Sequence, residues 1–231
     1  MLANAIVRCF IVSVIAASLS ISAIAVPYIA NAAEQKSEKT YEVAQSIQPL
    51  YFRNRENITY LVNGLASSVE SIGYGFTNLA KKIPSARLHN YASFVESSTV
   101  IPAKILNELK NAYRKNPNVE INLIGISFGA NMVTVLAAEL KRLNIPVNYL
   151  ATLEGPVMVP IRSNVRVADN FSCTNLDCFK TSSRLAFNNK ATKFQSFKIP
   201  TSHIPLANHP QVHERILSQI STLPPRTYRV E

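Results

Sequence analysis

The chain has 231 residues, a formal net charge of +10 and an apolar content of 47%. This length is sufficient for one domain with a substantial core, and the apolar content is ordinary for a globular protein. The basic residues are spread along the chain, without a run that interleaves basic and aromatic residues, so nucleic acid is not expected as a partner. No dinucleotide-binding or phosphate-loop motif and no Cys/His metal spacing is present, so we expect neither a cofactor nor a metal.

The N-terminus has the pattern of a secretory signal peptide. Arg8 is followed by an apolar run over Cys9–Val26, and Ala30–Ala32 supplies the small residues of an A-x-A cleavage site. We therefore expect residues 1–32 to be removed and the protein to be exported, either to a periplasm or into the medium. A second A-x-A at Ala23–Ala25 leaves the cleavage point open. An uncleaved segment would instead anchor the protein in a membrane, because the apolar run is just long enough to span one.

Strand and helix patterns then alternate. Residues 33–57 are interpreted as a linker, because Glu34–Gln48 is polar and charged and Pro49–Asn57 is irregular. Residues 58–223 are interpreted as the folded domain and residues 224–231 as a tail. The segments that predict strands are Ile58–Val62, Ala86–Tyr91, Ile121–Ile124, Val147–Leu153 and Lys193–Ile199, and those that predict helices are Val69–Ile83, Pro102–Tyr113, Met132–Leu140 and Pro210–Leu223.

This alternation favours an α/β domain. We expect a doubly wound, mostly parallel sheet of about five strands in the order 2-1-3-4-5, with helices on both faces. Val157–Asn189 carries little regular signal and is interpreted as a long irregular segment, such as a lid or substrate wall.

The third strand leads into G-I-S-F-G, Gly125–Gly129, and then into a helix. Strand, G-x-S-x-G and helix in this order is the pattern of a nucleophile elbow, in which Ser127 lies at the apex of a strained turn. Glycine is needed two residues before and after the serine, because strand and helix pass too closely for side chains. The N–H of Phe128 would face a developing oxyanion. A glycine turn in any doubly wound domain is the alternative interpretation of these five residues.

Chemically apt residues follow the other strands, and the carboxyl ends of parallel strands meet at one edge. The loop after the first strand would supply a second oxyanion donor, from the N–H of Leu65 or Ala66. His203 follows the last strand and would take the proton of Ser127 as general base. Glu154 ends the fourth strand and would hold the imidazole and stabilise its charged form.

Other residues compete for these roles. His209 and His213 are alternative bases, although His209 could simply cap the terminal helix and His213 is expected on the surface. Asp169 and Asp177 are alternative acids, and Glu154 could be a strand-end carboxylate that only caps a turn.

Two cysteines, Cys173 and Cys178, remain after a signal peptide is removed. An even count in an oxidising compartment predicts one disulfide, which would shape a short loop. Two free thiols are the alternative.

Three stretches resemble a family of exported bacterial α/β-hydrolase proteins related to lipase- and thioesterase-like hydrolases. They are G-I-S-F-G-A-N at Gly125–Asn131, T-L-E-G-P-V-M-V-P-I-R-S-N-V at Thr152–Val165 and S-H-I-P-L-A-N-H-P at Ser202–Pro210. The resemblance covers roughly Ile58–Ser221. It implies Ser127 as nucleophile, His203 as base and the position of Glu154 as acid. The sequence departs from the family pattern at Ile126, where histidine is usual, and at Glu154, where aspartate is usual.

The function expected from these observations is hydrolysis of a carboxylic ester or thioester through an acyl-enzyme on Ser127. The alternative is a non-catalytic binding protein of the cell envelope that uses the same fold. The positive charge also suggests an anionic envelope surface as a partner, and in a third interpretation the substrate itself is a phospholipid or envelope polymer.

Overall fold

The structure, a computed structural model, describes residues 56–68, 75–84 and 86–222. The predicted signal peptide, the predicted linker up to residue 55 and the predicted tail lie outside the described residues. Six strands are present in this part of the chain: β1 Asn57–Val62, β2 Ala86–His89, β3 Glu120–Ile126, β4 Val147–Leu153, β5 Val165–Cys173 and β6 Lys193–Ile199.

The helices are α1 Thr77–Lys82, α2 Ile101–Lys115, α3 Phe128–Arg142 and α4 Pro210–Thr222, with a π-helical turn at Glu96–Val100 and a 3-10 turn at Pro205–Asn208. Within the described residues, no helix combines the length and apolar character that crossing a membrane requires.

The six strands form one sheet in the order β2-β1-β3-β4-β5-β6, and every neighbouring pair is parallel. The predicted α/β class, the parallel sheet and the order of the first four strands are confirmed. Chain order reverses beside β1, which pairs with both β2 and β3. In open α/β sheets, ligands bind outside the carboxyl ends of the strands at such a point. The loops after β1 and β3 therefore flank the expected site.

The sheet has one strand more than predicted, because Val165–Cys173 is β5 rather than irregular chain. Polar residues inside this buried strand interrupt the apolar pattern on which the prediction relied. Each of them has a partner. Asp169 is bonded to Tyr149 and Arg215, and Asn170 accepts the N–H of Ser183. Tertiary contacts thus stabilise a strand that local composition does not predict.

Helices cover both faces of the sheet. On one face, Ile105 and Leu109 of α2 and Val133 and Leu136 of α3 pack in a single buried cluster. On the other face, a second cluster contains Leu79 of α1 together with apolar residues of α4. Because both faces are covered, β3 and β4 are buried along their entire length. The carboxyl ends of these two strands carry Ser127 and Glu154.

Candidate active site

Ser127 lies between β3 and α3 in an unusual backbone conformation, with φ 57° and ψ −127°. Its N–H donates to the Leu153 carbonyl at 2.8 Å, which extends the ladder between β3 and β4 by one residue. Its carbonyl accepts the Ala130 N–H at 2.9 Å and so begins the helix. The strand and the helix thus hold the serine in a turn that a non-glycine residue rarely adopts. This is the geometry predicted for the elbow.

The glycines on either side of Ser127 are required by close packing. A Cβ on Gly125 would overlap the carbonyl of Gly129, and a Cβ on Gly129 would overlap the carbonyls of Val62 and Asn63. The first turn of α3 therefore lies directly against the ends of β1 and β3, as predicted from the spacing. The N–H of Phe128, the first residue of α3, belongs to this turn.

The loop after β1 reaches the serine. A Cβ on Gly64 would lie 3.1 Å from the Ser127 Cβ and 3.5 Å from its Oγ. Asn63 anchors this loop from within the fold, since its Oδ1 accepts the Phe76 N–H at 3.0 Å and its Nδ2 donates to Asn90 at 2.7 Å. The predicted oxyanion donors, Leu65 and Ala66, come directly after the contact at Gly64. The geometry brings this loop to Ser127, as expected, without distinguishing between the two amides.

Glu154 follows β4 and is completely buried. In the registers of the sheet, Leu153 lies opposite Ile126 on one side and Phe171 on the other. Glu154 is therefore at the same level as Ser127, one strand away. Its Oε1 accepts the Cys173 N–H at 3.2 Å and its Oε2 accepts the Phe179 N–H at 3.0 Å. Two backbone donors thus compensate for removing the carboxylate from water.

His203 lies against Glu154. Its Nδ1 is 3.3 Å from Glu154 Oε2, and its side chain is 16% exposed. An ionised carboxylate can only accept a hydrogen bond, so with Glu154 in that form Nδ1 would be the donor and Nε2 would remain as the acceptor. The structure thus brings together the predicted base and acid. No hydrogen bond joins Ser127 Oγ to the His203 ring among the described residues.

Backbone strain is concentrated at these predicted residues. Five non-glycine residues of the described chain have a positive φ: Ala66, Ser127, Asn144, Glu154 and Lys180. Three of the five, Ala66, Ser127 and Glu154, follow the carboxyl ends of β1, β3 and β4. A conformation that costs of order 1–3 kcal/mol persists where the surrounding structure enforces it, and such positions cluster at functional sites.

The predicted disulfide is present between Cys173 and Cys178. It lies beside the acid, with Cys173 Sγ 3.0 Å from Glu154 Oε2. A disulfide sulfur carries no hydrogen, so this approach is a packing contact and not a hydrogen bond. The two sulfurs and this carboxylate are close enough together to be considered as metal ligands. However, both sulfurs are already used in the disulfide, and a metal would need them as thiolates.

The competing acid Asp169 is used elsewhere. It is buried within β5, where its carboxylate accepts the Tyr149 hydroxyl at 2.9 Å and two N–H groups of Arg215 at 2.8 and 3.2 Å. Burial and the nearby carboxylate raise the pKa of Tyr149 well above its usual value, and the bond to Asp169 raises the pKa of Arg215. These donors compensate for the burial of the Asp169 carboxylate, so its presence in the core does not require a role in the site.

Among the described residues, no hydrogen bond joins either competing histidine to Glu154. The N–H of His209 donates to the Leu206 carbonyl at 3.2 Å, and the His209 carbonyl accepts the N–H groups of Val212 and His213 at 3.0 and 3.1 Å at the start of α4, the place of its predicted capping role. His213 was expected on the surface, and this expectation is wrong. It is buried, with Nε2 2.7 Å from the Ala207 carbonyl and Nδ1 3.4 Å from Lys82 Nζ. Burial lowers its pKa.

Two residues of the site have roles that the sequence does not predict. Asp177 accepts the backbone N–H of His203 at 3.1 Å, and the Phe179 ring packs edge-on against the imidazole, with 4.6 Å between ring centroids. The sequence indicates Asp177 only as an alternative acid and gives no indication for Phe179. The C-x4-C spacing predicts that this short loop is closed, but it does not indicate that either residue contacts His203.

Several exposed apolar side chains neighbour or contact the residues of the site. Phe94 packs edge-on against Phe128, with centroids 5.9 Å apart, and is 60% exposed. Ile204, the residue after His203, is 62% exposed, and Leu65 and Phe179 are also partly open to solvent. Each of these residues is next to a site residue in sequence or in contact with one. Part of the surface next to the site is therefore apolar.

No protein-family model and no curated protein sequence matches this chain. Solved structures similar to it include a protein named as a hydrolase of the alpha/beta superfamily from Xanthomonas campestris pv. campestris, with 13% identity, TM-score 0.42 and coverage of 72% of this chain and 98% of that one. Human thioesterase 2 has 11% identity, TM-score 0.46 and coverage of 74% and 99%. A thioesterase from the prodiginine biosynthetic pathway of Streptomyces coelicolor has 11% identity, TM-score 0.42 and coverage of 72% and 90%. A fold does not determine an activity, so the chemistry has to be argued from the residues of the site.

Proposed function

We propose that this protein is a serine hydrolase that cleaves carboxylic esters or thioesters. The observation that carries the proposal is the contact between His203 Nδ1 and the buried Glu154 carboxylate, at the strand edge that also holds Ser127 in its strained turn. This contact leaves Nε2 of the imidazole free to accept a proton. A serine alone is a poor nucleophile and needs such a base.

The steps of the reaction follow from this arrangement. His203 Nε2 takes the Ser127 proton while Oγ attacks the carbonyl carbon, and Glu154 stabilises the imidazolium that forms. The Phe128 N–H and the N–H of Leu65 or Ala66 bind the oxyanion. The imidazolium then protonates the leaving alcohol or thiol as its bond to the acyl carbon breaks. Water, deprotonated by His203, attacks the acyl carbon, and the imidazolium protonates Oγ as its bond to the acyl carbon breaks. This step releases the carboxylic acid and the free serine.

The apolar residues beside the site support an apolar acyl group. Phe94, Leu65 and Ile204 offer no charge or hydrogen bond to a polar substrate, and burying one such side chain fully contributes about 1.5–3 kcal/mol. We expect KM to fall from acetyl to butyryl to octanoyl esters of p-nitrophenol. Phe94→Ala would reduce this dependence and leave the acetyl ester least affected.

Export remains part of the proposal. The disulfide between Cys173 and Cys178 supports an oxidising compartment, since such bonds are rare in reducing cytosol. An anionic surface as partner has separate support. Exposed basic residues end α2 and α3 at the sheet edge opposite the site: Arg114, Lys115, Lys141 and Arg142. Binding to anionic vesicles that weakens as salt is raised, and is lost when these four residues are changed to Gln, would test this contact.

The activity is tested with a fluorophosphonate probe and p-nitrophenyl esters. We expect the wild type to be labelled on Ser127 and to turn over the esters, and Ser127→Ala to lose both. Ser218→Ala, an exposed serine in α4, is the matched control and retains both activities. A folded wild type that resists the probe and hydrolyses no ester would contradict the proposal. The alternative, a non-catalytic binding protein, would then be favoured.

A further inference from the structure

The segment Cys173–Phe179, called here the disulfide loop, contacts Glu154 from both of its ends. The Cys173 N–H donates to Oε1 and the Phe179 N–H donates to Oε2. The disulfide joins Cys173 to Cys178, the residue before Phe179, with the two Cα atoms 5.7 Å apart. The bond therefore holds two amide donors at the separation that one carboxylate requires.

The same loop contacts His203 at two points and the two residues before it at a third. The Asp177 carboxylate accepts the His203 backbone N–H, and the Phe179 ring lies edge-on to the imidazole at an interplanar angle of 72°. Asn175 bonds the two preceding residues, since its N–H donates to the Thr201 carbonyl at 3.3 Å and its Nδ2 donates to Ser202 Oγ at 2.9 Å. The loop thus spans the acid and the base.

These contacts fix different degrees of freedom. The Asp177 bond and the Asn175 bonds fix the backbone from which the imidazole extends. The Phe179 ring restricts rotation of the imidazole, and the two amides fix the plane of the carboxylate. An opened loop would retain the residues but not their relative positions, because a flexible loop regains conformational entropy when its closure is removed.

We propose that the disulfide loop is the positioning element of the Glu154–His203 pair, with Asp177 and Phe179 as positioning residues. The inference rests on the proposed function, because it is the acid–base role of the pair that makes position matter. The disulfide also keeps a competing donor away. As a thiol, Cys173 could donate to Glu154 Oε2, the oxygen that faces His203 Nδ1.

The first test is kinetic. Cys173→Ala/Cys178→Ala opens the loop without adding a donor, and Asp177→Ala removes the acceptor of the His203 N–H. We expect each to lower kcat by about 10- to 100-fold, the scale of a misplacement of about 1 Å, with KM changed by less than about threefold. Asp177→Asn keeps an acceptor oxygen and recovers most of the loss.

Controls distinguish positioning from stability. Phe179→Ala should lower kcat, whereas Phe187→Ala, which removes a fully exposed ring outside the loop, should not. A disulfide that only stabilises the fold would lower Tm and leave kcat of the folded protein unchanged, and this result would overturn the proposal. If the loop were only a wall of the substrate site, the loop variants would raise KM at constant kcat, and that result would also overturn the proposal. If the double alanine variant does not fold, the Asp177→Ala and Asp177→Asn pair decides.

The second test does not depend on turnover. A histidine Nδ1–H that is bonded to a carboxylate gives a downfield proton resonance, which we expect in the wild type and in Ser127→Ala, and not in Glu154→Gln. The resonance should be lost or broadened in Cys173→Ala/Cys178→Ala and in Asp177→Ala, and kept in Asp177→Asn and Phe187→Ala. Its absence from the wild type, or its persistence unchanged in the folded open-loop and Asp177→Ala variants, would contradict positioning. An inactive wild type in which the resonance follows this pattern would contradict the proposed function alone.

Discussion

Glu154→Gln is the substitution that tests the site most directly. It removes the negative charge beside His203 and keeps the side chain nearly the same size. The amide can still accept one of the two backbone N–H groups through its oxygen. Its NH2 group then faces the other N–H and the imidazole Nδ1, where only an acceptor fits.

The size of the effect on catalysis follows from the distance. At 3.3 Å and an effective dielectric constant of about 20, the carboxylate stabilises an imidazolium by about 5 kcal/mol. This energy corresponds to roughly 10³–10⁴ in rate, which agrees with the loss of about 10⁴ in kcat when an amide replaces the acid of such a triad. We therefore expect kcat to fall by at least about 10³-fold.

The effect on stability should be smaller. One buried N–H left without an acceptor costs about 1–3 kcal/mol, and losing the desolvated charge offsets part of this cost. Each kcal/mol corresponds to about 2–4 °C in Tm for a chain of this length. The folded protein should thus persist at the assay temperature.

The assay combines ester turnover, labelling by the fluorophosphonate probe and thermal unfolding. Asp169→Asn is the matched control, since Asp169 is an equally buried carboxylate that contacts Arg215 and not His203. It should destabilise the fold by about 3–5 kcal/mol and leave kcat of the folded protein unchanged. A Glu154→Gln variant that is folded and retains kcat within tenfold of wild type would refute the role assigned to Glu154.

Three further substitutions test the surrounding structure. Gly64→Ala places a Cβ 3.1 Å from the Ser127 Cβ. We expect kcat/KM for ester hydrolysis to fall about 10- to 100-fold, with Tm nearly unchanged. Activity equal to that of the wild type would contradict an oxyanion role for this loop. Gly129→Ala overlaps the carbonyls of Val62 and Asn63, so urea unfolding should show a loss of about 3 kcal/mol or more, and a neutral result would contradict the close packing. Burial lowers the pKa of His213 below its ordinary 6.5, so the unfolded chain binds a proton first as pH falls. Its contribution to stability is complete above about pH 6.5 and is lost below it. His213→Gln should therefore flatten the fall of Tm between about pH 7 and 5, and an unchanged pH dependence would contradict this assignment.

The fold could be predicted where the local sequence pattern was sufficient to identify a strand or a helix. The strand Val147–Leu153 and the strand Lys193–Ile199 have the predicted bounds, because apolar runs and alternation identify them locally. The strand Val165–Cys173 could not be predicted in this way. Its Asp169 is compatible with burial only because Arg215, 46 residues away, reaches it. Information of this kind lies in the tertiary structure and not in any short window.

The candidate site could also be predicted only in part. Topology alone placed Ser127 and Glu154 side by side, since both follow neighbouring strands of a parallel sheet. The register and the His203 contact agree with that prediction. The roles of Asp177 and Phe179 could not be predicted from the sequence, because they depend on the conformation of an irregular loop. The cysteine spacing predicted that this loop is closed, and not which of its atoms would face the histidine.

The use of glutamate at position 154 is explained by where its donors lie. Leu153 pairs with Phe171, so Glu154 is level with Ser172 and its donors begin at Cys173, further along the next strand. Aspartate would withdraw the carboxylate by one C–C bond, about 1.5 Å, from both amides and from His203. Glu154→Asp should therefore lower kcat about 10²-fold or more although the charge is kept. The open-loop variant acts on the same carboxylate. Combining it with Glu154→Asp should thus cost less than the product of the two separate losses, and strictly multiplicative losses would show that the loop and the side-chain length act independently.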